Sequence, residues 1–341
     1  MHMADALLSP AVGGTLWAAT AGTILYASNR LKKDLDDSKI PLMGVLGAFI
    51  FAAQMINFTI PATGSSGHLG GGMILAILLG PWAAFLTMAS VLMVQALFFA
   101  DGGLLALGCN IFNLGVFPCF IAYPLIYKPL VGRQPTLGRI TFAAMASSVV
   151  GLQLGALGVV LETVSSGVSE LPLGAFLLMM QPIHLAIGVV EGLVTAVVVT
   201  FVWRARPEIL GGAASAIPGQ MPLKRLLAAL LVVAVATGGG LSWFASEHPD
   251  GLEWAIAKVT GHEELESRES SVHATLSGVQ ERVALLPDYG YKNPSTAAPA
   301  ADSGWPAVDS GTSVSGLVGG LATLLLAAAI GWVLKKRSPS A

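Results

Sequence analysis

Long apolar segments that end in clusters of lysine and arginine constrain this chain more than any other feature of its sequence. The first runs from about residue 9 to 29 and is followed by Arg30, Lys32 and Lys33. Only 11% of the residues are charged and 54% are hydrophobic, whereas about a quarter of the residues of a soluble protein are charged. In lipid, only helices and closed barrels pair all of their backbone N–H and carbonyl groups. From the long apolar segments we predict an all-α integral membrane protein.

The basic clusters orient these segments, since positively charged loops stay on the cytoplasmic side. We predict seven crossings within residues 1–205, with the N-terminus outside. Two further crossings within residues 223–341 flank an extracytoplasmic loop at residues 246–313. A stretch rich in glycine, alanine and proline, residues 206–222, is predicted to be a cytoplasmic linker. The expected total is about nine crossings with the C-terminus inside.

One apolar stretch, residues 73–99, is interrupted at Gly80 and Pro81. A single helix here would leave the next basic loop, residues 128–139, on the outer side. Two short crossings joined at Gly80–Pro81 return that loop to the cytoplasm. The first piece, about a dozen residues and roughly 18 Å long, is too short to cross without thinning the bilayer or being buried in the bundle.

Met1 and His2 together carry an α-amine, a backbone amide nitrogen and an imidazole within one small chelate. These nitrogens lie naturally in one plane, and planar nitrogen coordination is typical of Ni(II) or Cu(II). The alternative is an accidental histidine. No signal-peptide cleavage is expected, because the positive cluster follows the apolar segment instead of preceding it. His68, in a loop predicted on the same outer face, can supply a fourth nitrogen.

Polar residues inside the apolar segments are further candidates, because an unpaired polar group in hydrocarbon is costly. Asn110 and Asn113 lie three residues apart on one helical face, and His184 and Glu191 lie seven apart. Interhelical hydrogen bonding is the simpler interpretation of the asparagines. For His184 and Glu191 a functional or coupling role is equally open.

Several classes of function are excluded or disfavoured by the sequence. It contains no G-x-x-x-x-G-K-[ST] loop to cradle phosphates and no H-E-x-x-H zinc protease motif. A formal net charge of −2 gives no reason to expect nucleic acid. We therefore predict a non-catalytic membrane subunit that binds a ligand and takes any driving force from a partner.

Several stretches together resemble one family: residues 1–9, the Ser65-Ser-Gly-His-Leu-Gly-Gly-Gly loop, the segment with Asn110 and Asn113, and residues 184–191. It is the NikM/CbiM family, the substrate-specificity (S) components of nickel and cobalt energy-coupling-factor ABC transporters. The resemblance covers about residues 1–205. The Pro249-Asp-Gly-Leu-Glu-Trp stretch is similar to the small NikN/CbiN partner, so the chain resembles a natural fusion of the two.

The resemblance implies a seven-helix bundle whose N-terminal segment enters from outside. It implies that the metal is bound by the Met1 amine, the His2 amide and imidazole, and His68. Residues that could surround this site or couple it to the bundle are Asp5, Asn57, Ser65, Ser66, Asn110, Asn113, His184 and Glu191. The bound ligand would be the transported Ni(II), or alternatively Co(II), and no cofactor is implied.

The family also implies partners and a location. The partners are a transmembrane coupling subunit of the NikQ/CbiQ type, cytoplasmic ATPases of the NikO/CbiO type, and membrane lipid. The location is the bacterial cytoplasmic (inner) membrane.

Other interpretations stay open. One is a membrane metal sensor or metallochaperone that does not transport, which predicts no neighbouring ATPase or coupling subunit. Another is an ion-coupled secondary transporter, although the internal repeats common in such proteins are not visible. His248, His262 and His273, all in the outer loop, are either solvated surface residues or a weak relay of metal to the site.

Overall fold

The structure, a computed structural model, describes residues 2–169, 171–210, 221–263, 265, 270–292 and 305–336. Within these ranges the first unit contains seven helices: α1 (Pro10–Asp34), α2 (Lys39–Gln54), α3 (Gly72–Leu79), α4 (Pro81–Phe98), α5 (Leu107–Val131), α6 (Leu137–Ser166) and α7 (Leu173–Ala205). The described part of the second unit contains four: α8 (Leu223–Gly239), α9 (Gly251–Thr260), α10 (Ser271–Val283) and α11 (Ser310–Lys336).

Among the described helices, α4, α5, α6, α7 and α11 are long and apolar enough to cross a membrane. The shorter α2 is also strongly apolar. The protein is therefore a mostly helical, multi-pass membrane protein, as its apolar segments predict.

The predicted break at Gly80 and Pro81 is confirmed. Helix α3 ends at Leu79, Gly80 adopts a φ of 78°, and Pro81 opens α4. The positive φ suits glycine, because a Cβ disfavours this region. Helix α3 is shorter than the dozen residues predicted: it has 8 residues, about 12 Å at 1.5 Å per residue. All of its residues are buried, so α3 lies inside the bundle.

The loop predicted between α2 and α3 contains a short hairpin. Helix α2 ends at Gln54, and two antiparallel strands follow. Strand β1 (Phe58–Ile60) pairs with β2 (Ser65–Gly67). The turn between them contains Ala62 at φ 64° and Gly64 at φ 72°. These left-handed residues reverse the chain within a few positions and carry residue 68 back into the bundle.

Helix α6 extends beyond the apolar part of its sequence. Glu162 lies inside α6 and is buried. The helix continues to Ser166 and ends at Gly167, whose φ of 61° closes it. Glu170 lies outside the described residues, as do residues 211–220 of the predicted linker.

The second unit packs on the first through α11. Within the second unit, Gly316 of α11 lies against Gly238 of α8, where an added Cβ would come within 2.2 Å of the Gly238 carbonyl oxygen. Gly319 of α11 lies against Phe51 of α2, where an added Cβ would come within 2.0 Å of the ring. Small residues allow membrane helices to approach this closely. The two units therefore share one helical interface.

This interface predicts different outcomes at two neighbouring glycines. Gly319→Ala should destabilise the protein by about 1–3 kcal/mol, because the new methyl group overlaps the Phe51 ring. Gly320→Ala is the matched control, since its Cβ would lie 4.0 Å from Ala48. Thermal unfolding in detergent, followed by tryptophan fluorescence, measures both variants. Equal melting temperatures would contradict this packing.

Candidate metal-binding site

The N-terminal segment is held inside the bundle by Asn110 of α5. Its Oδ1 accepts a hydrogen bond from the Met3 backbone nitrogen at 2.8 Å, and its Nδ2 donates to the Met3 carbonyl at 3.3 Å. Gly103 also donates its backbone N–H to the Met3 carbonyl, at 3.0 Å. Met3 and Asn110 are both buried. Buried backbone groups need hydrogen-bond partners. The Asn110 amide pairs with both the N–H and the carbonyl of Met3, as the backbone of a neighbouring strand would, and so holds the adjacent His2 at the site.

Asp5 anchors the same segment. Its Oδ1 accepts the backbone N–H of Ala106 at 2.9 Å, just before α5 begins. Gly103 makes room for this carboxylate, because an added Cβ would fall 1.8 Å from Oδ1. Asp5 therefore fixes the turn that leads into α1.

The loop that carries His68 is fixed from two helices. Glu191 of α7 accepts the backbone N–H groups of Gly70 at 2.9 Å and Gly71 at 3.1 Å. Gln54 of α2 donates to the Gly70 carbonyl at 2.9 Å. The structure thus places Glu191 as a support of the His68 loop.

The imidazole rings of His2 and His68 stack, with centroids 5.1 Å apart and an interplanar angle of 13°. His68 Nδ1 donates to the Leu69 carbonyl at 3.0 Å, which assigns its lone pair to Nε2. Burial lowers the pKa of His68 to about 3. Burial also lowers the pKa of His2, although Asp101 acts in the opposite direction. Both rings are therefore neutral at pH 7, the form that binds metal. Met1 lies outside the described residues.

Two residues of the site were missed from the sequence, Asp101 and Tyr289. Asp101 Oδ1 lies 3.3 Å from His2 Nδ1, and Tyr289 donates its hydroxyl to Asp101 Oδ2 at 2.5 Å. Burial, reinforced by the Asp101 carboxylate, raises the pKa of Tyr289 well above its usual value, so the phenol stays protonated. Asp101 could have been found, because it follows α4 on the predicted outer face. Tyr289 carries no such signal.

The part of the second unit predicted to lie outside, described at residues 246–263, 265 and 270–292 and called here the outer segment, docks on the hairpin beside His68. Ser66 donates its backbone N–H to the Pro249 carbonyl and its hydroxyl to the His248 carbonyl, both at 2.8 Å. Ser65 Oγ lies 3.4 Å from the same Pro249 carbonyl. Trp254 of α9 donates its indole N–H to the Thr63 carbonyl at 3.0 Å. Both serines predicted to surround the site therefore bind the second unit.

Asp250 begins α9 with a capping box. Its carboxylate accepts the backbone N–H groups of Leu252 and Glu253, and the Glu253 carboxylate accepts the Asp250 N–H in return. The helix that this box caps spans Gly251–Thr260. Asp250 also lines a small cavity, of ≈ 10 Å³, together with His68 and His184.

His184 of α7 lies beneath the site, at the contact with the second unit. Its Nδ1 donates to the Met180 carbonyl at 2.8 Å. Its Nε2 is buried and has no hydrogen-bond partner among the described residues. A Cβ added to Gly251 would lie 3.2 Å from the His184 ring. His184 therefore lines the same small cavity as His68 and Asp250.

The remaining predicted site residues have partners of their own. Asn113 donates to Glu162 at 2.8 Å inside the bundle, so it does not share a partner with Asn110. The Asn57 carbonyl accepts the Ser246 N–H at 2.7 Å, which ties it to the outer segment. His273 was expected in solvent or in a metal relay. It is buried, with Nε2 3.1 and 3.0 Å from the carbonyls of Asp5 and Leu8.

A vestibule of ≈ 910 Å³ lies between the two units and includes His2 and His68 in its walls. No lysine or arginine is among its described lining residues, which also include His248. Seven carboxylates line it: Asp5, Asp101, Glu247, Asp250, Glu253, Asp288 and Asp309. A cleft lined by one sign of charge concentrates ions of the opposite sign. The vestibule is therefore suited to a cation.

Comparison with known proteins decides the family. The family model described as the cobalt uptake substrate-specific transmembrane region, CbiM, matches residues 2–209, and the PDGLE domain matches residues 224–336. The chain belongs to the CbiM family. The order of the two matches confirms the predicted fusion with a PDGLE part.

Individual relatives of this CbiM family member are transport proteins. This chain is 31% identical to a fused nickel transport protein, NikMN, of Archaeoglobus fulgidus over 97% of this chain and 98% of that protein. It is 29% identical to the cobalt transport protein CbiM of Geobacter sulfurreducens, over 84% and 85%. The crystal structure of a truncated transition metal transporter superposes with a TM-score of 0.53 at 30% identity, covering 60% of this chain and 99% of that one.

The two hydrogen bonds between Asn110 and the Met3 backbone lead to a prediction that can be tested without metal. Asn110→Ala should speed hydrogen–deuterium exchange in residues 2–8 by about tenfold or more, because the buried Met3 N–H loses its partner. Asn113→Ala is the matched control, since Asn113 pairs with Glu162 instead. Equal exchange in the two variants would show that Asn110 does not hold the segment.

Proposed function

We propose that the chain is the substrate-binding membrane subunit of an ATP-driven importer for a divalent transition metal, with Ni(II) as the preferred substrate. The observation that carries the proposal is the pair of neutral, stacked histidines, His2 and His68, at the wall of an acidic vestibule. Membership of a family of nickel and cobalt transport proteins supports it.

The proposed ligands are the Met1 amine, the His2 amide nitrogen, the His2 imidazole and His68 Nε2. The His2 imidazole must use Nδ1, because Nε2 lies on the far side of the ring from the backbone and cannot close the chelate. A planar set of four nitrogens favours Ni(II) over tetrahedral Zn(II). Cu(II) would bind at least as strongly by the usual affinity order, so selection against it depends on its availability outside the cell.

The vestibule supports entry from the outer face. Its carboxylates would raise the local concentration of divalent cations, and its walls reach His2 and His68 without an intervening lysine or arginine among the described residues. With the N-terminus outside, as the basic clusters predict, this mouth opens away from the cytoplasm. We propose the nine-crossing arrangement in the bacterial cytoplasmic membrane on the same grounds.

The driving force would come from partners, since the sequence has no phosphate-binding loop of its own. The proposed partners are a transmembrane coupling subunit of the NikQ/CbiQ type and ATPases of the NikO/CbiO type. The same ligand set serves Co(II), and relatives of this chain are named for either metal. Competition between Ni(II) and Co(II) for the purified chain separates these substrates, and we expect Ni(II) to win because it tolerates planar coordination.

Two substitutions test the ligand set directly. His2→Gln removes the imidazole from the chelate, and His68→Ala removes the fourth nitrogen. Each should weaken Ni(II) binding by at least about 100-fold, because loss of mere supporting groups already costs 10–100-fold. Isothermal titration in detergent measures the affinity. His262→Ala, at an exposed position, is the control, and an unchanged affinity in either test variant would refute the site.

Transport is separated from mere binding by reconstitution. Proteoliposomes that contain the chain with its coupling subunit and ATPases should accumulate radioactive Ni(II) only when ATP is supplied on the ATPase side. Binding without accumulation in a complex that hydrolyses ATP would favour a sensor or metallochaperone.

A further inference from the structure

We propose that Tyr289, in the outer segment of the second unit, weakens the hold of Asp101 on the His2 imidazole and so speeds metal entry into the site. The inference rests on the proposed function, because it assigns a step at the same site. Tyr289 is a positioning residue: it acts on Asp101 and does not touch the metal.

The Asp101 carboxylate bridges the two units. Its Oδ1 lies 3.3 Å from His2 Nδ1 in the first unit, and its Oδ2 accepts the Tyr289 hydroxyl at 2.5 Å from the second. The residues on either side, Ala100 at φ 56° and Gly102 at φ 78°, are both left-handed. An alanine adopts this conformation only at a cost. The bend therefore keeps the carboxylate between its two partners.

The Tyr289 hydroxyl is held in place by contacts with both units. Its ring stacks on Phe99, with centroids 4.9 Å apart and an interplanar angle of 14°. The backbone of Asp288 donates to the Phe99 carbonyl at 2.9 Å, and the Tyr289 carbonyl accepts the Ser315 hydroxyl at 2.9 Å. The hydroxyl thus reaches Asp101 only when the outer segment is docked.

His2 has to leave Asp101 for a metal to bind. The chelate uses Nδ1, and this is the nitrogen that faces Asp101. Nδ1 cannot carry the hydrogen that pairs with a carboxylate and also give its lone pair to a metal. In the metal-bound form the hydrogen belongs on Nε2, and the Gln95 side chain is a hydrogen-bond partner of the His2 ring. The ring must also turn, because the present stack on His68 sets the two rings face to face.

The Tyr289 hydrogen bond lowers the cost of this exchange. A donor on Oδ2 draws negative charge away from Oδ1, since hydrogen bonds to a carboxylate are charge-assisted. Oδ1 then holds His2 less strongly. Without the donor, Asp101 pairs with His2 alone and competes more effectively with the metal. The second unit thereby affects loading through a hydroxyl group that never meets the metal.

A double-mutant cycle tests this inference in the purified full-length chain. Stopped-flow mixing with Ni(II) measures the association rate for Tyr289→Phe, Asp101→Asn and the double variant. Tyr289→Phe keeps the ring stack and the charge of Asp101, and should slow association about tenfold while leaving dissociation unchanged. In the Asp101→Asn background, Tyr289→Phe should have no effect. Tyr291→Phe, two residues away, is the matched control and should bind at the rate of the unsubstituted chain.

Other outcomes would overturn the inference. An unchanged association rate in Tyr289→Phe would show that the hydroxyl does not act on the site. An equal slowing with and without Asp101→Asn would show that Tyr289 acts on the docking of the outer segment alone. Failure of the unsubstituted chain to bind Ni(II) at all would instead overturn the proposed function, so the two failures are distinguishable.

Discussion

Burial of the N-terminal segment depends on the pair of hydrogen bonds between Asn110 and the backbone of Met3. In the apolar interior of a membrane protein, a backbone N–H or carbonyl without a partner costs several kcal/mol. The Asn110 amide satisfies both groups of one residue, and Asp5 and Gly103 secure the turn on either side. His2 meets His68 only because this segment stays inside. The candidate metal site therefore depends on an asparagine that is not one of the proposed ligands.

The second unit completes the surroundings of the site. It contacts each segment that forms the site: His273 reaches the carbonyl of Asp5, Pro249 binds Ser66, and Tyr289 binds Asp101. The vestibule lies between these contacts and is lined by both units. Because the two units belong to one chain, the second unit always stays close to the site. A cation needs a polar path to the buried pair of histidines. This need explains why both units contribute carboxylates to the vestibule.

The features that depend on local pattern were predictable from the sequence, and those that depend on long-range pairing were not. The break at Gly80 and the helix after Asp250 follow from glycine, proline and capping chemistry within a few residues. The pairing of His2 with His68 was predicted because covalent chemistry and a family motif point to them. Asp101 and Tyr289 are 188 positions apart in the chain, and no periodic pattern in the sequence predicts their contact. His273 was misassigned because a polar segment predicts solvent, whereas its ring caps two carbonyls of the N-terminal segment.

The coordination of the bound metal distinguishes the histidine site from binding by carboxylates. X-ray absorption at the nickel edge, measured on the purified full-length chain after stoichiometric loading, reports both the geometry and the ligand atoms. We expect a planar Ni(II) centre with four nitrogen ligands, which loses its planar signature in His68→Ala. A six-coordinate centre with mainly oxygen ligands would contradict this expectation, because the metal would then be held by the carboxylates of the vestibule instead of by the histidines.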